Sequence, residues 1–115
     1  MRLLNLLKSK IHRATVTDAD VNYVGSITID ADLSERVDLI AGELVHVWNV
    51  DNGNRFETYV IQGEAGSGQI VVNGAAAHLV KPGDIVIIAG FCLSDEPVTP
   101  KAILVDERNR YLRDL

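Results

Sequence analysis

Apolar and polar residues alternate over short stretches of this chain, and clusters of turn-forming residues separate the stretches. Leu44–Val50 and Arg55–Ile61 flank Asp51-Asn52-Gly53-Asn54, whose Asn-Gly pair suits the left-handed backbone of a tight turn, so the spacing predicts a hairpin. Gln69–Val72 and Ile85–Phe91 are further β-branched runs, separated by the Lys81-Pro82-Gly83-Asp84 turn. Ala14–Thr17 has strand character, and Ala102–Val105 is the last strand expected. Helical spacing is clearest over Asp32–Ala41, where Leu33, Val37 and Ile40 share one face. Asp32 is the expected N-cap, Glu35 follows three residues on, and Gly42 supplies the stop. Glycine-bearing segments at Gly63–Gly68 and Asn73–Ala77 read as loops. Many short strands with one helix, no repeat and no linker predict a small β-barrel.

Composition narrows the class. The chain has 115 residues, one domain's worth, and its formal charge of −5 disfavours a general nucleic-acid binder. The single cysteine, Cys92, leaves neither an internal disulfide nor a multi-cysteine zinc site. The longest uncharged stretch, Ala65–Val80, is too rich in Gly, Ser, Asn and Ala to span a membrane. Arg2, Lys8, Lys10 and Arg13 all precede the first acid, Asp18, so the opening is basic. Its apolar run Leu3–Leu7 is broken by Asn5 and has no small-residue cleavage pattern after it, so it belongs to the fold and not to a targeting peptide. A soluble cytoplasmic protein forming a single domain over residues 1–115 is expected.

Candidate chemistry follows from strand parity. Lys10 and His12 fall on one face of an extended segment, where a cation beside an imidazole suits an anion or simply faces solvent. Arg55 and Tyr59 share parity, while Thr58 points the other way. His46 and His78 lack metal-ligand spacing and are expected to be structural or solvent-facing. Gly66-Ser67-Gly68 is too short for a phosphate cradle and no helix signal follows it. The pair Gly25-Ser26, set between β-type residues, would by itself be only a turn.

These pieces occur in a recognisable order. Leu7–Ala14, Tyr23–Ser26, Trp48-Asn49-Val50 with Asn52-Gly53 and Arg55, Thr58-Tyr59, and Val72-Asn73-Gly74-Ala75-Ala76-Ala77-His78 together resemble the bacterial aspartate 1-decarboxylases. The resemblance runs to about Phe91. It implies a mainly β fold, a double-psi β-barrel with short helices, assembled as a homotetramer with active sites between subunits. It implies a precursor that cuts itself between Gly25 and Ser26 into residues 1–25 and 26–115, with a covalently bound pyruvoyl group formed from Ser26. The implied reaction takes L-aspartate to β-alanine and carbon dioxide, for pantothenate and coenzyme A synthesis, without pyridoxal phosphate or a metal. A maturation partner is not identifiable from the residues.

The chemistry behind these implications is simple. Loss of carbon dioxide from an amino acid leaves an electron pair that no ordinary side chain can delocalise, so a carbonyl sink is required. For its formation, the resemblance makes Ser26 the nucleophile, Gly25 the uncrowded carbonyl donor and Thr58 the oxyanion partner. For catalysis, Lys10 and Arg55 would hold the carboxylates of aspartate and Tyr59 would return a proton to the α-carbon. Asn73, Gly74 and the small Ala75, Ala76 and Ala77 would line the pocket, with Thr58 beside the substrate. Tyr23, Trp48 and Ile87 would form walls and His12 an electrostatic neighbour. Ala65 stands where the family pattern leads one to expect arginine, and the tail from Ser94 follows no family motif, so it either helps assembly or is disordered. Two alternatives remain at this point: a non-enzymatic interaction module on the same barrel, and a decarboxylase of glutamate, one methylene longer.

Overall fold

The basic opening segment folds as one long strand, β1 (Leu4–Thr15), in a computed structural model that describes residues 1–115. Its alternation buries Ser9 and Ile11 and leaves Lys10 and His12 half-buried on the opposite face. A bulge between Ile11 and Ala14 changes the parity so that Ala14 also turns inward. Within it Arg13 takes φ 65, a left-handed conformation rare for a residue with a side chain.

Eight further strands follow: β2 (Asp18–Asp20), β3 (Ser26–Asp30), β4 (Leu44–Asn49), β5 (Arg55–Gly63), β6 (Ile70–Asn73), β7 (Ile85–Ser94), β8 (Lys101–Val105) and β9 (Tyr111–Asp114). They hydrogen-bond in the order β2-β6-β3-β5-β4-β7-β1-β8-β9. The architecture is mainly β, in keeping with the expected double-psi β-barrel, although the ladder of strands does not close on itself. The β4–β5 hairpin forms as its Asn-Gly turn predicts, and Gly53 takes φ 78 there. Inward-facing Ile and Val dominate the core, among them Ile11, Ile27, Val47, Val60 and Ile88. No helix is long and apolar enough to cross a membrane.

Several local expectations need correction. The helix α1 covers only Ala31–Arg36, and its N-cap is Asp30. The Asp30 carboxylate is buried and accepts from the backbone N–H of Asp32, Gly66 and Gly68, at 2.9, 3.0 and 2.8 Å. These last two partners lie in a distant loop, which is why Asp30 and not Asp32 becomes the cap. At the other end Leu39 N–H bonds back to Ser34 and Asp38 turns left-handed at φ 61, ending the helix well before Gly42. Leu39 therefore enters the core in place of Ile40, which is exposed. The Asn73–Ala77 segment is not a loop throughout: Gly74–Leu79 forms a 3-10 helix.

The tail is ordered. β7 continues to Ser94 opposite Leu4, β8 runs parallel to β1, and β9, like the short β2, is a strand absent from the sequence reading. Between β8 and β9 the buried Asn109 sits at φ 60, a conformation asparagine tolerates better than most residues. Its amide accepts from Thr15 N–H at 2.7 Å and donates to the carbonyls of Thr15 and Gly68, both at 2.8 Å. Gly68, at φ 73, passes so close that a Cβ there would lie 2.8 Å from the Arg108 carbonyl oxygen. Arg36 stacks on the Tyr111 ring at 3.8 Å. These contacts tie the C-terminal turn to the 63–68 loop and to the end of β1.

Candidate active site

The first cluster surrounds the Gly25-Ser26 bond. Ser26 opens β3 directly opposite Asn73, the last residue of β6. Both are buried, whereas Gly25 and the preceding Tyr23 and Val24 are exposed. The Ser26 hydroxyl donates to the Val24 carbonyl at 3.0 Å and receives the Asn73 Nδ2 amide at 3.0 Å. The same nitrogen lies 3.2 Å from Thr28 Oγ1, a residue two places along β3 that the sequence reading missed. Period-two spacing from Ser26 was the signal that would have found it. Gly74, at φ 78, follows Asn73 and packs against the loop that precedes Ser26: a Cβ there would lie 2.5 Å from Gly25 Cα and 2.8 Å from Gly25 N. The position admits no side chain. Ala77 is buried, Ala76 half-buried and Ala75 exposed along the 3-10 helix.

β3 runs parallel to β5 with Ile27 opposite Val60. Thr58 and Tyr59 precede Val60 on β5, level with Gly25 and Ser26. Thr58 is half-buried on the side of Val60 and of its own β4 partner Val45, and no hydrogen bond links it to the Ser26 cluster. Tyr59 lies on the other face, with Arg55, as parity predicts.

The second cluster lies on that face of the sheet. Arg55 pairs with Trp48 on β4, which pairs with Ile87 on β7, so the three stand in one row. The Arg55 guanidinium carbon sits over the Trp48 ring, 4.7 Å from its centre. The next row joins Glu57, His46, Ala89 and Lys10 across four strands. His46 contacts the Phe91 ring edge-on and lies 3.8 Å from Glu57, so its surroundings are structural, as expected. Neither Lys10 nor Arg55 is ion-paired, whereas Lys8 meets Glu43 at 3.0 Å.

His12 stands beside Lys10. Burial, and then the Lys10 and Arg13 cations, hold its pKa below the 6.5 of an ordinary imidazole. Its Nδ1 is buried without a hydrogen-bond partner in the chain. An imidazole with a depressed folded pKa binds its proton less readily than the unfolded chain does. Stability is therefore expected to fall as pH drops through about 6.5 toward the folded pKa, and to lose no more from this group below it. Thermal unfolding across that window should show a smaller loss in His12→Gln than in wild type; equal losses would remove His12 as the cause.

Rows and register also set the distance between the clusters. Lys10 on β1 and Ser26 on β3 are separated by four ladder steps of about 4.8 Å, roughly 19 Å as followed along the curved sheet. Arg55 lies four residues along β5 from the level of Ser26, about 13 Å at the usual strand rise. One protomer brings Ser26, Asn73, Gly25 and Gly74 together, and separately Arg55, Trp48 and Ile87. Strand order and register place neither cation next to Ser26.

Comparison with known proteins covers nearly the whole chain. The aspartate decarboxylase family matches residues 2–112. An aspartate 1-decarboxylase of Acetivibrio thermocellus is 55% identical over 113 residues, spanning 95% of this chain and 90% of that protein. An aspartate 1-decarboxylase of Caldicellulosiruptor saccharolyticus is 56% identical over 115 residues, spanning 96% of this chain and 90% of that protein.

Proposed function

The chain belongs to the aspartate decarboxylase family, and from that premise we propose that it converts L-aspartate to β-alanine and carbon dioxide after cutting itself between Gly25 and Ser26. The proposal takes residues 1–115 as one domain in the uncut precursor, and residues 1–25 and 26–115 as the paired chains of the enzyme. Its setting is the cytoplasm and its product serves pantothenate synthesis. The observation that carries it is the Ser26 hydroxyl, buried, held between Val24 and Asn73, and joined to an exposed glycine.

In the cut, Ser26 Oγ attacks the Gly25 carbonyl carbon. The carbon–nitrogen bond breaks, the hydroxyl proton passes to the Ser26 nitrogen, and Gly25 is left as an ester on Oγ. Loss of the Ser26 α-proton with cleavage of Cβ–Oγ then releases Gly25 as a carboxylate and leaves dehydroalanine. Water converts that residue to a pyruvoyl end and ammonia. Glycine at 25 leaves the attacked carbonyl uncrowded, and Thr58 is level with it to donate to the oxyanion. The donor on Oγ and the close Gly74–Gly25 approach suit a small planar group at this position. That group supplies the electron sink for decarboxylation, so neither pyridoxal phosphate nor a metal is required.

The remaining residues act on the substrate. Lys10 and Arg55, free of internal partners, take its carboxylates, and the stacked guanidinium of Arg55 offers two parallel N–H groups to one of them. His12 adds a neutral hydrogen-bonding neighbour, Trp48, Ile87 and Tyr23 form walls, and Asn73 with the Gly74–Ala77 backbone orients the reacting carbon. Tyr59 returns the proton. Because one protomer separates Lys10 and Arg55 from Ser26, a neighbouring copy brings them together. Exposed Leu44 and Tyr59, paired across β4 and β5 on the same face as Arg55, give that copy an apolar surface to cover. A homotetramer with sites between subunits meets this need.

Intact-mass spectrometry of the purified protein tests the reading. Two chains matching residues 1–25 and 26–115, the second carrying a ketone in place of the serine amine, are expected together with aspartate decarboxylation in the absence of added cofactor. A single uncut chain after prolonged warming, or a cut at another bond, would reverse it.

A further inference from the structure

We propose that Thr28 is a positioning residue for the self-cleavage at Gly25-Ser26, acting through the Asn73 amide. The inference rests on the cleavage reading above and assigns a role to a residue that this reading leaves unused.

The hydrogen bonds around Asn73 leave little freedom of assignment. The Val24 carbonyl can only accept, so the one hydroxyl proton of Ser26 goes to it. Whatever else approaches Ser26 Oγ must then donate, and the atom 3.0 Å away is Asn73 Nδ2. That nitrogen carries two hydrogens in the amide plane. The second meets Thr28 Oγ1 at 3.2 Å, and so both hydrogens are used. With its Thr28 partner the amide is fixed in rotation about its last bond and in the choice of which end faces Ser26. Without it, the carbonyl end can swing toward Oγ, draw the hydroxyl proton away from Val24, and turn the nucleophile from its resting geometry.

Strand geometry makes Thr28 the residue able to do this. Thr28 and Ser26 stand two apart on one face of β3, and Asn73 faces Ser26 from β6, so Thr28 is its diagonal neighbour. Asn73 and Thr28 also share the wall of an open groove of about 450 Å³ that Tyr23, Asp18, Asp20 and Glu64 border. Water in that groove competes for the amide once the threonine hydroxyl is gone. The side chain of Thr28 points away from Ile27 and Ile29, the core residues that flank it, so exchanging its hydroxyl for a methyl leaves the core as it is.

The test follows the rate of cutting in freshly purified full-length chains by intact mass. Thr28→Val, which replaces the hydroxyl with a methyl of similar size, is expected to cut about tenfold more slowly, the worth of one modest hydrogen bond. Thr28→Ser, which keeps the hydroxyl, should return to within about twofold of wild type. Adding Thr28→Val to Asn73→Ala should slow cutting by less than about twofold beyond Asn73→Ala alone, since the amide through which Thr28 acts is absent. Wild-type speed in Thr28→Val overturns the inference and leaves the cleavage reading standing. So does failure of Thr28→Ser to restore the rate, which makes the role one of packing, or a full multiplicative effect in the double variant. A wild-type chain that never cuts overturns the cleavage reading itself and takes this inference with it.

Discussion

Ser26→Ala is expected to stay a single chain and to show no aspartate decarboxylation above background. The alanine has no oxygen to accept the Gly25 acyl group, so neither the ester nor its elimination can form. The loss is all or none, because in the proposed scheme one residue supplies both the nucleophile of the cut, through Oγ, and the carbon of the carbonyl sink, through Cα. Removing the hydroxyl also deprives a buried Asn73 N–H of its acceptor, at about 1–3 kcal/mol. The variant's unfolding midpoint and its assembly state therefore belong beside its activity. A folded Ser26→Ala that decarboxylates aspartate at the wild-type rate would overturn the role of Ser26. Thr58→Ala provides the graded companion: an oxyanion donor of this kind is worth on the order of 10²–10³ in rate, so cutting should slow without stopping.

What could be read from the residues alone was local. The β4–β5 hairpin is written in its Asn-Gly turn and in the parity of Val45, Val47, Thr58 and Val60, but the register that sets Arg55 beside Trp48 is not, because the strand ends expected from the turn would have met as Val50 and Arg55. The Lys10–His12 face was legible for the same reason. α1 was overextended because the residue that ends it, Asp38 at φ 61, carries none of the sequence signal of a glycine, and Gly42 drew the stop too far along. Its cap was misplaced by two residues because Asp30 gains its advantage from Gly66 and Gly68, distant in sequence. β9 went unseen since Tyr-Leu-Arg-Asp is short and mostly exposed at the edge of the sheet, where neither alternation nor apolar content marks a strand. The site shows the same division. Family likeness named Ser26 and Asn73, but their contact depends on β6 lying against β3, a pairing across 47 residues that spacing does not encode. Thr28 needed that pairing to be noticed.

Arg55→Ala is expected to mature normally and to lose substrate binding. The proposed cut involves no anionic ligand, and Arg55 lies some distance along β5 from the level of Ser26, so cutting should proceed at the wild-type rate. Decarboxylation is different. In the proposed interface, truncating Arg55 leaves a substrate carboxylate desolvated without its charge partner, at about 2–5 kcal/mol. This corresponds to a loss of tens to thousands-fold in kcat/KM. Arg55→Lys keeps the charge but offers a point donor instead of a planar fork, and it stacks less well on Trp48, so partial recovery is expected. The defect should fall on KM where the contact serves ground and transition states alike, and on kcat as well if it also aligns the scissile bond. Measuring cutting and decarboxylation on the same preparation separates the two roles. A fully cut Arg55→Ala with near wild-type kcat/KM would remove Arg55 from the substrate site. An uncut one would place it in the maturation machinery instead, because a residue needed only for aspartate has no part in breaking the Gly25-Ser26 bond.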